Sequence, residues 1–295
     1  MSTLDSTQYK EAEHQSWDSV ADGWQKWWKT IETGAQKVSR RLIELAEIKP
    51  GSRVLDIATG IGEPAITVAN QVGHSSGSGG YVLATDISSR MLSIAKQRAS
   101  SFGLQNVIEF KHGDAETIDL PTSTFDAVLC RWGLMFLPDL KAGLFNIYRL
   151  LVDGGRLAAA VWASPDKDTL MASTINTVMK ETNSPPPPPG TPGPFALSDE
   201  NILKNSFIRP GFKDVTIERM NVTFDFDSPE DFTTYVHETA VLGDYRIKPN
   251  QRKEEILKAV TEVARKYADN NTVKLRMKLY VSLVKNKVMF IYLFI

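Results

Sequence analysis

The sequence predicts an α/β fold, a doubly wound parallel sheet, and three observations carry that prediction. Apolar strand-like runs alternate with amphipathic helical stretches between residues 54 and 162. One run, Phe125-Asp126-Ala127-Val128-Leu129-Cys130, is apolar nearly throughout, which suits a strand covered on both faces. The first run, Val54-Leu55-Asp56-Ile57, passes into Ala58-Thr59-Gly60-Ile61-Gly62-Glu63-Pro64, a turn with glycines two apart leading into a helix.

Taken in order, residues 54–57 read as the first strand and 63–72 as the helix after it. His74 to Gly80, rich in Ser and Gly, reads as a connector. Residues 81–85 form a second strand ending at Asp86, and Ser88 is placed to cap a helix through Ala99. A third strand spans 107–110 and ends near Gly113-Asp114, and the fourth is 125–130. Pro138-Asp139 opens a helix with Leu140, Leu144, Ile147 and Leu151 at helical spacing. Asp153-Gly154-Gly155 is expected to end it, with a fifth strand over 156–162.

Beyond this core a helical pattern covers 168–180, followed by five prolines, Pro185 to Pro189, which suit a stiff polyproline II connector. Ser198-Asp199 caps another helix, residues 215–226 alternate as one or two strands, and helices are expected from Ser228-Pro229-Glu230 and over 251–267. The division expected is a helical lid at 1–40, a cofactor-binding core at 41–165, and a helical, proline-rich remainder at 166–295 whose strands and helices complete the same domain.

Composition excludes several classes. Lys+Arg 34 against Asp+Glu 35 leaves no basic stripe for nucleic acid. The single cysteine, Cys130, excludes an internal disulfide framework and a cysteine-built metal site, so no metal is expected. Asp5, Glu11 and Glu13 interrupt the first residues, so no secretory leader is read there. The apolar stretch 288–295 falls well short of the roughly 20 residues that span a bilayer. A soluble, cytoplasmic protein is expected.

The candidate site gathers at the carboxyl ends of the strands, where open α/β sheets bind ligands. Gly60 and Gly62 let the backbone approach a ligand closely. Asp86 can accept hydrogen bonds from two ribose hydroxyls, with Ile87 and Met91 beside it as an apolar slot for adenine. Asp114-Ala115 can read the adenine amino group, and Cys130-Arg131-Trp132 forms the next wall. Asp56 is expected to face the cofactor's positive end, where a carboxylate suits an ammonium and a sulfonium better than a pyrophosphate. Each residue also has a purely architectural reading: a tight strand–helix turn for the glycines, a helix cap for Asp86, a turn for Asp114, a small core residue for Cys130.

Val54-Leu-Asp-Ile-Ala-Thr-Gly-Ile-Gly62, Ala84-Thr-Asp-Ile-Ser88, Gly113-Asp-Ala115, Phe125-Asp-Ala-Val128 and Leu150-Leu-Val-Asp-Gly-Gly155 resemble the successive motifs of class I S-adenosylmethionine (SAM)-dependent methyltransferases, in particular the ubiquinone/menaquinone C-methyltransferase group, over roughly residues 40–165. The resemblance implies a Rossmann-like sheet of seven strands, six parallel and the last antiparallel. It implies that Asp56, Ala58, Thr59, Gly60 and Gly62 hold the methionine and sulfonium, Asp86 the ribose, and Asp114 and Ala115 the adenine. In two places the sequence departs from the group. Trp132-Gly133-Leu134 continues as Met135-Phe136 where the quinone enzymes carry an Arg-Asn pair, which speaks against a quinone acceptor. The chain also finishes on an apolar run after Lys287.

On the acceptor side, Trp17, Trp24, Trp27 and Trp28 form a helical stripe with Val20 and Ile31, either a packed amphipathic helix or a lid over an apolar acceptor. Trp24, Trp28, Trp132, Met135 and Phe136 are the expected pocket residues. His237 is the candidate base, and Arg131 is either a ligand for an acidic acceptor or a partner for a carboxylate. The expected function is SAM-dependent methyl transfer to an O, N or C centre of an apolar or aromatic small molecule. An NAD(P)-dependent oxidoreductase and a non-catalytic SAM-binding protein are the alternatives.

Overall fold

The computed structural model describes residues 6–73, 80–167, 169–239 and 252–286. Within them one eight-stranded sheet runs in the order β3-β2-β1-β4-β5-β8-β6, with β7 paired to β8 at its side. The strands are β1 (Arg53–Ile57), β2 (Tyr81–Asp86), β3 (Ile108–His112), β4 (Phe125–Arg131), β5 (Leu151–Trp162), β6 (Lys213–Phe226), β7 (Ala268–Asp269) and β8 (Thr272–Lys285). β1 to β5 are parallel, while β8 lies antiparallel between β5 and β6. The seven-stranded sheet with an antiparallel last strand is therefore present, with the two-residue β7 as an eighth. Asn270 and Asn271, both at positive φ, make the tight turn that folds β7 onto β8.

The order changes direction between β1 and β4, so the crevice for a ligand opens at their carboxyl ends. Both strands are almost wholly buried, which explains their near-continuous apolar runs. α2 (Ala65–Val72), α3 (Ser89–Ser101) and α4 (Leu140–Leu150) are the crossover helices. Ser88 Oγ accepts from Met91 N, and Asp139 caps α4 by accepting from Ala142 N. α5 (Leu170–Thr182), α6 (Glu200–Ile208), α7 (Pro229–Thr239) and α8 (Lys253–Lys266) complete the molecule.

Two expectations change, and a third is given its place in the chain. Asp153-Gly154-Gly155 does not end α4. The helix stops at Leu150, β5 begins at Leu151, and the glycines lie in the irregular start of that strand, where its register with β4 slips. The third strand sits further along, at Ile108–His112. The antiparallel last strand, implied but not located in the sequence, is Thr272–Lys285, and it joins β5 to β6 at the centre of the sheet's second half. The connector at 74–79, the helix starts at Asp168 and Gln251, and the apolar end at 287–295 lie outside the described residues.

The tryptophan stripe belongs to α1 (Ser6–Leu45), a single helix of 40 residues. Its second half is core: Ile31, Ala35, Val38 and Leu42 recur on one face and are buried. Burying each large apolar side chain contributes about 1.5–3 kcal/mol, so this half anchors the helix. Two glycines set how closely it docks. A Cβ on Gly23 would stand 2.1 Å from Glu238 O in α7, and one on Gly34 would stand 2.4 Å from Thr223 O in β6. The first half of α1 then passes over the carboxyl ends of β1 to β4.

Candidate active site

The turn after β1 is held from beneath. Asp56 is fully buried; its Oδ2 accepts from Thr59 Oγ1 at 2.6 Å and from Ala65 N at 3.0 Å. One carboxylate thus ties both ends of the loop to the strand. Burial pushes its pKa up to about 7, against these two hydrogen bonds and the Arg131 charge. Asp56 does not reach the cavity wall, so its carboxylate braces the loop where the sequence placed it against the cofactor. Gly62 is likewise off the wall: a Cβ there would meet Ile66 Cδ1 at 2.9 Å, so it serves loop–helix packing.

Ala58 (φ +54°) and Gly60 (φ +56°) are both left-handed and both line the cavity, as does Thr59 between them. A Cβ on Gly60 would meet nothing within 4 Å, so the turn leaves open space on that side. Asp86 closes the loop from the next strand. Its Oδ2 accepts from Gly60 N and its Oδ1 from Ser88 N, both at 2.8 Å. Burial raises its pKa and the two amide donors oppose that rise.

The cavity encloses about 140 Å³ between these strand ends and α1. Ile87, Met91, Asp114 and Ala115 line one end. Asp114 Oδ1 accepts from Glu116 N, and its Oδ2 accepts from Lys10 Nζ of α1 at 2.7 Å. Lys10 Nζ also lies 2.5 Å from Glu116. At the other end, Arg131 is buried and donates to both oxygens of Glu32 in α1, at 2.9 and 2.5 Å, and to Ser39 Oγ at 2.9 Å. Arg131 thus has the carboxylate partner that was one of its two readings, and it also lines the cavity. Trp132, with φ +65°, lines the cavity and stacks on Trp162 at 4.4 Å between ring centroids.

α1 supplies the facing wall through Tyr9, Lys10, Glu13, Trp17, Trp24 and Glu32. Trp17 packs edge-on against Phe136 at 5.2 Å and donates from Nε1 to Glu13. Trp24 Nε1 donates to Thr239 O, fixing that ring against α7.

Two expected pocket residues lie elsewhere. Trp28 packs beside Ala21, Ile61, Met91 and Ile94, with the Arg98 guanidinium 4.8 Å from its ring. Met135 is buried in the main core, because the short 3-10 turn Leu134–Phe136 points it inward and only Phe136 out. His237 is not on the wall either. It sits on α7, where burial and then Lys253 lower its pKa. The Cys130 thiol is buried and pushed up to about 12, which makes it unreactive. Among the described residues no group of His, Cys, Asp and Glu is placed to hold a metal ion, and no helix is long and apolar enough to cross a membrane.

Sequence reasoning passed over Lys10, Glu13, Glu32 and Glu63 as wall residues. The signal was present for three of them. Lys10, Glu13, Trp17 and Trp24 fall on one face of a 3.6-residue helix, and Glu32 follows on the same side.

A family model, the ubiE/COQ5 methyltransferase family, matches residues 6–176. The chain is 35% identical over 117 residues to the ubiquinone/menaquinone biosynthesis C-methyltransferase UbiE of Xanthomonas oryzae pv. oryzae (strain MAFF 311018), covering 40% of this chain and 45% of that protein. It spans about half the length of the curated relatives it matches. Among solved structures, the YcgJ protein from Bacillus subtilis superimposes with a TM-score of 0.57 at 16% identity, over 85% of this chain and 99% of that one. Phosphoethanolamine N-methyltransferase 2 of Haemonchus contortus, solved with S-adenosyl-L-methionine, gives 0.50 at 19% identity, over 83% and 51%. At these identities the structural likeness is one of fold.

Proposed function

The chain belongs to the ubiE/COQ5 methyltransferase family, a family of SAM-dependent methyltransferases, and from that premise we propose that it transfers a methyl group from SAM to an O, N or C centre of an apolar or aromatic small molecule. The observation that supports this most is the division of the cavity. Polar backbone and carboxylates line it along the strand ends, and aromatic rings line it toward α1 and Phe136.

The residues present suit the cofactor. Asp86 would hold the ribose, and Ile87 and Met91 would flank the adenine, with Asp114 and Ala115 at its edge. Ala58, Thr59 and Gly60 would pass along the methionine, with Arg131 at that end. SAM, when bound, supplies an electrophilic methyl group on a sulfonium. The protein's part is to position the acceptor and exclude water, which can account for much of the rate of a displacement. Trp17, Trp24, Trp132 and Phe136 offer the apolar faces for that task. For an acceptor that must lose a proton, the wall offers Tyr9 and Glu13 of α1, one helical turn apart.

Calorimetric titration with SAM, with its demethylated product and with NAD tests the reading. Binding of the first two without NAD is expected; silence toward both, or binding of NAD, overturns it. Screening apolar acceptors, quinones included, with labelled SAM then separates an enzyme from a binding protein. With no Arg-Asn pair after Leu134, we expect turnover on an acceptor other than a quinone.

A further inference from the structure

The wall beneath the loop carries more negative charge than its own ion pairs neutralise. Glu32, Glu63, Asp86 and Arg131 all line the cavity and are each 7–8% exposed. Glu32 is matched by Arg131 through two hydrogen bonds. Asp86 is satisfied by backbone amides alone. Glu63 Oε2 accepts from Thr67, while its Oε1 faces Arg98 at 3.7 Å, beyond hydrogen-bond distance. Arg98 itself donates to Ile61 O. Against two guanidinium groups there stand three carboxyl groups, Glu32, Glu63 and Asp86. In a poorly solvated wall this excess favours a cationic ligand over a neutral one of the same shape.

The sequence had given this task to Asp56, and the structure moves it. We propose that Glu63, backed by Glu32, discriminates the charged methyl donor from its neutral demethylated product at the sulfonium end of the cavity. The inference rests on the SAM-dependent reading above. Methyl transfer breaks the bond from sulfur to the methyl carbon and leaves its electron pair on sulfur. The acceptor's electron pair makes the new bond, so the positive charge leaves the sulfur with the methyl group. What remains is a neutral thioether facing a carboxylate that no cation meets at hydrogen-bond distance, and product release is favoured.

Glu63 faces Glu32 from α1, Arg98 from α3, Arg131 from β4 and Asp56 from β1. Burial, then the Glu32 charge, raises its pKa, while Arg131, Thr67 and Arg98 oppose the rise. A sulfonium favours the ionised form, so bound donor opposes that rise where the neutral product does not.

The test measures dissociation constants of SAM and S-adenosylhomocysteine by calorimetry on the full chain, wild type and Glu63→Gln. The expected result is a loss of about tenfold in the preference for SAM, with affinity for S-adenosylhomocysteine held. An unchanged preference, or a parallel loss of both affinities, overturns the proposal. If Glu63→Gln does not fold, the wild type decides alone. Its preference for SAM should fall as the pH is lowered and Glu63 takes up a proton, and a preference flat with pH overturns the proposal. Failure of the wild type to bind either compound instead overturns the methyltransferase reading itself.

Discussion

The cavity wall contributed by the sheet is built on backbone turns and on Asp86, whose carboxylate is held by two amide N–H groups, whereas the wall contributed by α1 consists of side chains held by ion pairs and ring contacts. In the first, Gly60 N and Ser88 N donate to Asp86, and Asp56 staples the loop beneath. In the second, Lys10 reaches Asp114, Glu32 grips Arg131, and Trp17 leans on Phe136. The sheet wall is shaped before any ligand arrives. The helix wall depends on contacts that can be removed one at a time, and within it the Glu32 end is buried while the Lys10 end is partly open.

The largest effect should come from breaking the buried tie between the walls. Glu32→Ala leaves Arg131 as an uncompensated buried charge and should cost about 3–5 kcal/mol in denaturant unfolding. Replacing both partners by Met should recover most of that loss. A Glu32→Ala variant as stable as wild type would show that the two walls are not tied there.

Asp86→Ala attacks the sheet wall and should weaken SAM binding by about 10–100-fold, the loss of charge-assisted hydrogen bonds. If the variant binds normally, Asp86 serves only the loop and the α3 cap.

The brace beneath the loop sets a pH dependence. The folded pKa of Asp56, about 7, lies above its ordinary 3.8, so the folded chain keeps a proton that the unfolded chain releases. Its contribution to stability is therefore full below 3.8 and is lost as pH rises toward about 7. Asp56→Asn should gain stability relative to wild type across that window. A difference independent of pH would contradict the assignment.

Lys10→Met tests the open end of the helix wall. The Lys10 and Asp114 side chains are about a fifth exposed, but Glu116, which Lys10 also meets, is only 3% exposed, and the change should cost about 1–3 kcal/mol. SAM should then dissociate faster in stopped-flow fluorescence of the nearby tryptophans. A large loss of stability would mean that the first turns of α1 are as essential as the Glu32 end.

The two walls were also unequally legible. The strand–loop–helix succession, the Ser88 cap and the placing of Asp86 at a strand end could be read directly, because each is local in sequence. Thr272–Lys285 escaped although Val273, Leu275, Met277, Leu279 and Val281 alternate with polar residues over its first part. The Asp153-Gly154-Gly155 cluster looked like a helix stop, yet pairing with β4 draws it into the start of β5. Trp28 and Met135 read as pocket residues by type alone, and a rotation about the helix axis or a 3-10 turn directs each away from the cavity instead.

By itself the sequence determined the order of strands and helices as far as α8, the turn that lines the cavity and the acidic residues at the strand ends. Periodicity, caps and glycine positions act over a few residues, so a linear chain displays them. Only the tertiary structure decided that Asp56 lies behind the loop while Glu63 and Glu32 come to the wall. It also decided that Arg131 is already paired and that His237 stands on α7, off the cavity wall. Those outcomes depend on where α1 crosses the sheet, set by its close approaches at Gly23 and Gly34 and by the burial of Ile31 to Leu42. Such contacts join residues about a hundred or more positions apart, and no local pattern carries them.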